Sequence, residues 1–155
     1  MCLAVNKTQR VKVAKEDIIC YKVVRRYKKV DHNEYETPYR DQPIELGGFY
    51  DESDNLMDIE YACGALDDWD GDTYKSVRGN AFHSFANLKD AKWEARDWGY
   101  YKEKGVEDMI VVECIIPKGA RYYKGINAIY NAEIAGYPDG YASNKIIYTS
   151  TIYEV

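Results

Sequence analysis

Residues 1–155 read as one α+β domain: a mostly antiparallel sheet of about five or six strands, one main helix over 87–98, and long loops. Three observations predict this. Two apolar, β-branched runs, DIICYKVVRR (17–26) and MIVVECIIP (109–117), have strand length and strand composition. A third stretch, 87–98, repeats apolar residues at helical spacing. The chain between them is broken by proline, glycine and acidic residues, and 155 residues suffice for a core without metal or disulfide staples.

The stretch 7–15 alternates polar and apolar residues only weakly. Cys2 follows the methionine, and an exposed N-terminal thiol beside its own amine can act as a nucleophile. Nothing else in the chain supports such a hydrolase, so Cys2 is read as an ordinary small second residue. The run 17–26 carries Ile18, Cys20, Lys22 and Val24 on one face and Ile19, Tyr21, Val23 and Arg25 on the other. Both faces are mainly apolar, which predicts a central strand covered on both sides. Lys22 then lies on a largely apolar face, where it must snorkel, pair, or take a lowered pKa; snorkelling or pairing is the favoured reading.

The region 30–72 is the least regular. Pro38 and Pro43 bracket TPYRDQP, predicting an extended or turned segment. The stretch 44–50, with Gly47 and Gly48, predicts a short strand and a turn. The run 67–72, DDWDGD, invites a calcium reading, but the EF-hand register would put Leu66 at the first ligand position and Val77 at the twelfth. It reads as an acidic surface loop, and no metal site is expected.

The stretch 79–99 combines a strand with a helix. Ala81, His83 and Phe85 share one strand face, with Phe82 and Ser84 on the other. Asn87 suits an N-cap, Asp90 suits the positive helix end, Leu88, Ala91, Ala95 and Trp98 form the inward stripe, and Gly99 is the expected stop. In 109–117, Glu113 lies between Val111 and Ile115; if it points inward, Lys22 is its expected partner. Ala120–Lys124 resumes the strand, 126–141 reads as loop, and NKIIYTSTIYEV (144–155) reads as a β-rich terminus.

Composition narrows the function classes. Sixteen tyrosines stand against three phenylalanines and three tryptophans, suiting half-buried sheet faces or a ligand-stacking surface. The four cysteines are scattered without a CxxC pair and only two histidines are present, which disfavours a zinc cluster. No signal peptide and no run of about 20 apolar residues is evident. A cytoplasmic protein with free thiols is the expectation. Net charge is −5, with 7–29 mainly basic and 31–72 mainly acidic. That split reads as two faces that partly neutralise one another, and nonspecific nucleic-acid binding is disfavoured.

Three stretches carry a resemblance: CYKVV, AFHSFANLKDA, and ECIIPKGARYYKG followed by YASNKII. Together they resemble a loose group of uncharacterised proteins of bacteriophages and Bacteroides-type gut bacteria. That resemblance implies common ancestry and carries no activity with it. The chain is also similar, more weakly, to the ADP-ribosyltransferase architecture, in which an early strand, a serine-bearing strand leading to a helix, and a late strand frame a nicotinamide cleft. His83 and Ser84 would correspond to cleft residues. The catalytic glutamate of those enzymes has no counterpart, because YASNKII supplies Tyr141, Ser143 and Lys145, and Glu133 and Glu154 are poorly placed.

The leading expectation is a small phage-type accessory protein, acting as a binding module for a nucleotide-like ligand and countering host defence. Its expected ligand-binding residues are Tyr21, Lys22, Arg25, His83, Ser84, Glu113, Tyr141, Ser143 and Lys145, with tyrosines stacking on a base and Lys22, Arg25 or Lys145 meeting phosphate. No catalytic residue and no cofactor is assigned. One alternative is a protein-interaction inhibitor presenting the acidic 51–72 surface to a basic host partner. Another is an ADP-ribosyltransferase-like enzyme with a non-standard site. Strand alternation sends His83 and Ser84 to opposite faces, which disfavours a Ser–His pair.

Overall fold

A computed structural model describes residues 2–38, 41–52, 59–60, 74–77, 81–100, 108–128 and 137–154. Within them lie β1 (Cys2–Asn6), β2 (Lys12–Val13), β3 (Ile18–Lys28), β4 (Asn33–Glu36), β5 (Pro43–Ile44), β6 (Phe49–Asp51), β7 (Ile59–Glu60), β8 (Tyr74–Val77) and β9 (Phe82–Phe85). The helix α1 (Leu88–Tyr100) follows, then β10 (Asp108–Ile116), β11 (Arg121–Ala128), β12 (Asp139–Ser143) and β13 (Lys145–Glu154). The α+β expectation with one helix and an antiparallel sheet holds, but the thirteen strands exceed the five or six expected, so the protein is mostly β. The surplus comes from strands such as β2, β5 and β7, two residues each and too short to show periodicity.

The strands run β6-β13-β10-β3-β9-β12-β11-β1-β8-β7, with β2 on β11, β4 on β3 and β5 on β4. The predicted central strand is β3, and β10 pairs with it along its length, Cys20 facing Cys114 and Val24 facing Ile110. One face of this pair packs under α1, where Val23, Met109, Val111 and Phe85 meet Ala91 and Ala95. The other face buries Cys20, Val24, Ile110, Val112, Cys114, Ile146 and Tyr148, with Tyr50, Phe82 and Tyr141 packed against it. Both of these thiols are free, and burial pushes Cys20 up to about 11.

The sheet folds back on itself. In its strand order β12 and β13 lie four places apart, roughly 19 Å at ordinary strand spacing. Yet Asn144 alone links them, and two residue steps span at most about 7 Å. The half containing β9, β12 and β11 must therefore lie over the face of β3–β10–β13 opposite the helix. Buried Asn144 secures the corner: its side-chain oxygen accepts the Arg121 N–H at 2.8 Å and its carbonyl accepts the Glu52 N–H at 2.8 Å.

At the fold line the sheet forks. The edge of β3 pairs with β9 through one residue pair, Tyr21 with Phe85, and further along with β4, from Arg25 opposite Glu36 to Lys28 opposite Asn33. Between those pairings lie Lys22, Val23 and Val24, and β9 and β4 diverge there. The β3–β4 hairpin also sets the basic stretch against the acidic one, with Arg25–Glu36 at 3.3 Å and Lys29–Glu34 at 3.4 Å.

Several expectations need correction. Lys22 and Glu113 do not share a face: the register sets Lys22 opposite Val112 and Glu113 opposite Tyr21, so Glu113 belongs with Val111 on the helix side. The helix passes Gly99 and ends at Tyr100. Its start at Asn87 is as expected, with the Asn87 carbonyl accepting the Ala91 N–H at 3.3 Å and its amide donating to Asp90 at 3.3 Å. The 126–141 loop is shorter than expected, since β11 reaches Ala128 and β12 begins at Asp139. The DDWDGD run lies outside the described residues. No described helix is long and apolar enough to cross a membrane.

Candidate functional site

The divergence of β9 from β4 opens a slot of about 110 Å³ beside the β3 edge. Lys22 and Val23 form its floor. One wall comes from the inner face of the folded sheet, with Ile44, Tyr50, Phe82 and Tyr148; the other comes from the helix side, with Ala81, His83 and Glu94. Thr37, Pro38, Gln42 and Pro43 make the rim. The aromatic wall is built edge to face, Tyr50 and Tyr148 at 5.4 Å and 86°, Tyr50 and Phe82 at 6.5 Å and 63°. The Tyr50 hydroxyl accepts the Glu45 N–H at 2.8 Å, which holds that ring in place.

The polar groups are individually anchored. Lys22 Nζ donates to the His83 carbonyl at 3.0 Å, linking β3 to β9 just beyond their last paired residues. The lysine therefore pairs rather than snorkels, with a backbone oxygen among its partners. His83 sets Nδ1 3.1 Å from the Ala81 carbonyl and Nε2 3.2 Å from the Val77 carbonyl, tying β8 to β9. Burial, reinforced by the charge of Lys22, pushes its pKa down to about 4, so the imidazole is neutral at neutral pH. Neutral, the ring carries one N–H and donates to one of these two carbonyls at a time, and neither nitrogen is directed at a reacting group. Glu94 brings a buried carboxylate from α1.

The rim is strapped to β3. Arg25 Nη1 meets Asp41 at 2.8 Å and Glu36 at 3.3 Å, while Nη2 donates to the Pro38 carbonyl at 2.9 Å. Within the loop, the Thr37 hydroxyl accepts the Gln42 N–H at 3.2 Å, and Asp41 takes a positive φ of 49°. Thr37 and Gln42 are thereby bonded to one another at the slot mouth, while Tyr39 and Arg40 lie outside the described residues.

Of the nine residues expected at a site, Lys22 and His83 line the slot, and Arg25 holds its rim. The others lie elsewhere. Ser84 is buried opposite Tyr141, on the strand face away from His83, as alternation requires. Tyr141 packs edge-on against Tyr122 at 5.9 Å. Ser143 Oγ donates to the Lys145 carbonyl at 2.9 Å, and Lys145 pairs with Asp51 at 3.9 Å. Tyr21 and Glu113 are neighbours on the helix side. The expectation missed Glu94, Tyr50, Phe82 and Tyr148. Glu94 had a signal, since it stands three residues after Ala91 and so within the inward stripe.

Comparison with protein-family models, curated proteins and solved structures finds no match. Among the described residues, the slot sets an aromatic wall, one ammonium, one carboxylate and a neutral imidazole around a narrow opening.

Proposed function

We propose that this protein is a binding module whose fork slot holds part of a small, nucleotide-like ligand. The observation that carries the reading is the slot itself, concave, largely apolar, and furnished with a few anchored polar groups, which is the general form of a small-molecule site. Lys22 and Glu94 supply a donor and an acceptor, and Tyr50, Phe82 and Tyr148 supply ring surface. Catalysis is the weaker reading, because both His83 ring nitrogens face backbone carbonyls and Ser84 lies on the other strand face. In the setting that the sequence resemblance implies, the module would sequester a host signal nucleotide or block a host protein in countering host defence.

The test is a thermal-shift panel of nucleosides, nucleotides and dinucleotides on the wild type and on Gln42→Trp. Gln42 is exposed and engages Thr37 through its backbone, so tryptophan there plugs the mouth without touching the core. A ligand at about 100 times its Kd stabilises by about 2.7 kcal/mol, or roughly 5–11 °C for a chain of this size. The wild type should show that shift with at least one probe and the plugged variant should lose it. Flat melts across the panel, or a shift that survives the plug, would sink the reading.

A further inference from the structure

Resting on that reading, we infer that the part of the ligand entering the slot is a primary carboxamide, which pairs with the backbone N–H and C=O of Val23. The strand ladder shows which way each backbone group points. The Ala86 N–H bonds to the Asp139 carbonyl, so Ala86, Ser84 and Phe82 face β12, and the alternate residues Phe85 and His83 face β3. Phe85 pairs with Tyr21, which turns the backbone groups of Tyr21, and by alternation those of Ile19, Val23 and Arg25, toward this edge. Arg25 in turn pairs with Glu36 of β4. Val23 is the rung between, and neither arm of the fork closes it.

Each arm stops for its own reason. Continuing the β4 register sets Pro38 opposite Val23; a proline has no N–H to give, and this carbonyl accepts from Arg25 Nη2 at 2.9 Å. Continuing the β9 register sets His83 there, and its carbonyl accepts from Lys22 Nζ at 3.0 Å. Val23 is 3% exposed and lines the slot, so its edge-facing groups are shielded from bulk water. Buried backbone groups nearly always have partners, and among the described residues no residue pair supplies them on this edge. The occupant therefore offers an acceptor beside a donor. Phe85 and Glu36 hold the rungs two residues to either side, so a strand has no room to run along the edge, and only a terminal group fits. At about 110 Å³ the slot is smaller than the cavity of about 150 Å³ that holds one benzene ring, which keeps a ring outside and admits a smaller planar head. A carboxylate or ketone has no donor and an ammonium no acceptor, whereas a primary carboxamide presents both on one edge.

The experiment is amide NMR of the isotope-labelled wild-type chain, titrated with acetamide and with acetone. The two molecules share size and shape, and only acetamide can donate. The Val23 signal should move saturably with acetamide, at an affinity about threefold or more above that for acetone. N-acetylglutamine methylamide and a nucleoside bearing a carboxamide should move the same signal, and whichever binds more tightly than acetamide tells a peptide side chain from a small molecule as the source. Acetone binding as tightly as acetamide overturns the inference and leaves the binding reading standing. So does a Val23 signal that no carboxamide moves while the nucleotide panel still shifts the melt. Silence from every probe in both experiments overturns both.

Discussion

Replacing Arg26 by methionine tests the ion network that ties the far ends of three core strands. Arg26 is only 9% exposed and donates to Asp108 at 2.6 Å and to Glu154 at 2.5 Å, linking β3 to β10 and β13. Glu154 is 57% exposed and regains water when the arginine is lost, so its share is small. Asp108 is 17% exposed and would keep only Lys28, at 3.2 Å, among these partners. Stranding a buried charge outright costs about 3–5 kcal/mol, and residual pairing reduces this to about 2–3 kcal/mol here. For 155 residues that is roughly 4–12 °C in Tm. Hydrogen bonds from Arg26 hold both carboxylates below their usual range. A carboxylate with a depressed folded pKa stabilises the fold above its unfolded value and loses that contribution as pH falls through the folded one. The gap between wild type and Arg26→Met should therefore be full at pH 7 and narrow progressively below about pH 4. Urea melts followed by circular dichroism at several pH values read both quantities. A gap under about 1 kcal/mol at pH 7, or one that does not narrow with acid, would refute the reasoning.

Two other outcomes follow from the same structure. At Gly125 a Cβ would sit 2.2 Å from the Ala4 carbonyl oxygen, so Gly125→Ala must push β11 off β1 and should cost about 1–3 kcal/mol in a denaturant melt. The two histidines should titrate in opposite directions by NMR. His83 should shift near pH 4 because of burial, and His32 above its ordinary value because Asp31 and Glu34 accept from it. The depressed value means that the unfolded chain takes up the proton first, so His83 lowers stability as pH falls from about 6.5 towards 4, by up to about 1.4 kcal/mol per pH unit. A wild-type stability profile no steeper than that of His83→Gln over this interval would contradict the burial argument.

The long elements were legible because their signals are local. The strands β3 and β10 show in β-branched runs of strand length, and α1 shows in the spacing of Leu88, Ala91 and Ala95 after Asn87. Strands such as β2, β5 and β6, of two or three residues, are defined by their pairing partners and leave no pattern. The division of YASNKII between β12 and β13 was hidden for a related reason, because Asn144 turns the corner through bonds to Arg121 and Glu52, residues distant in sequence. At the site, Lys22 and His83 stood out as a lysine on an apolar strand face and one of two histidines. Glu94 stood within the inward stripe of the helix but was hidden among charged neighbours.

Sequence by itself determined the fold class, the central strands, the start of the helix and the separation of His83 from Ser84, since alternation and helical spacing are properties of neighbouring residues. Tertiary structure alone decided the register that parts Lys22 from Glu113, the folding of one half of the sheet over the other, and the fork. Each of these depends on which strand edges meet, a choice made by long-range hydrogen bonding and packing. The slot exists because β9 and β4 share one edge of β3 and then diverge, and no single stretch of the chain contains that fact.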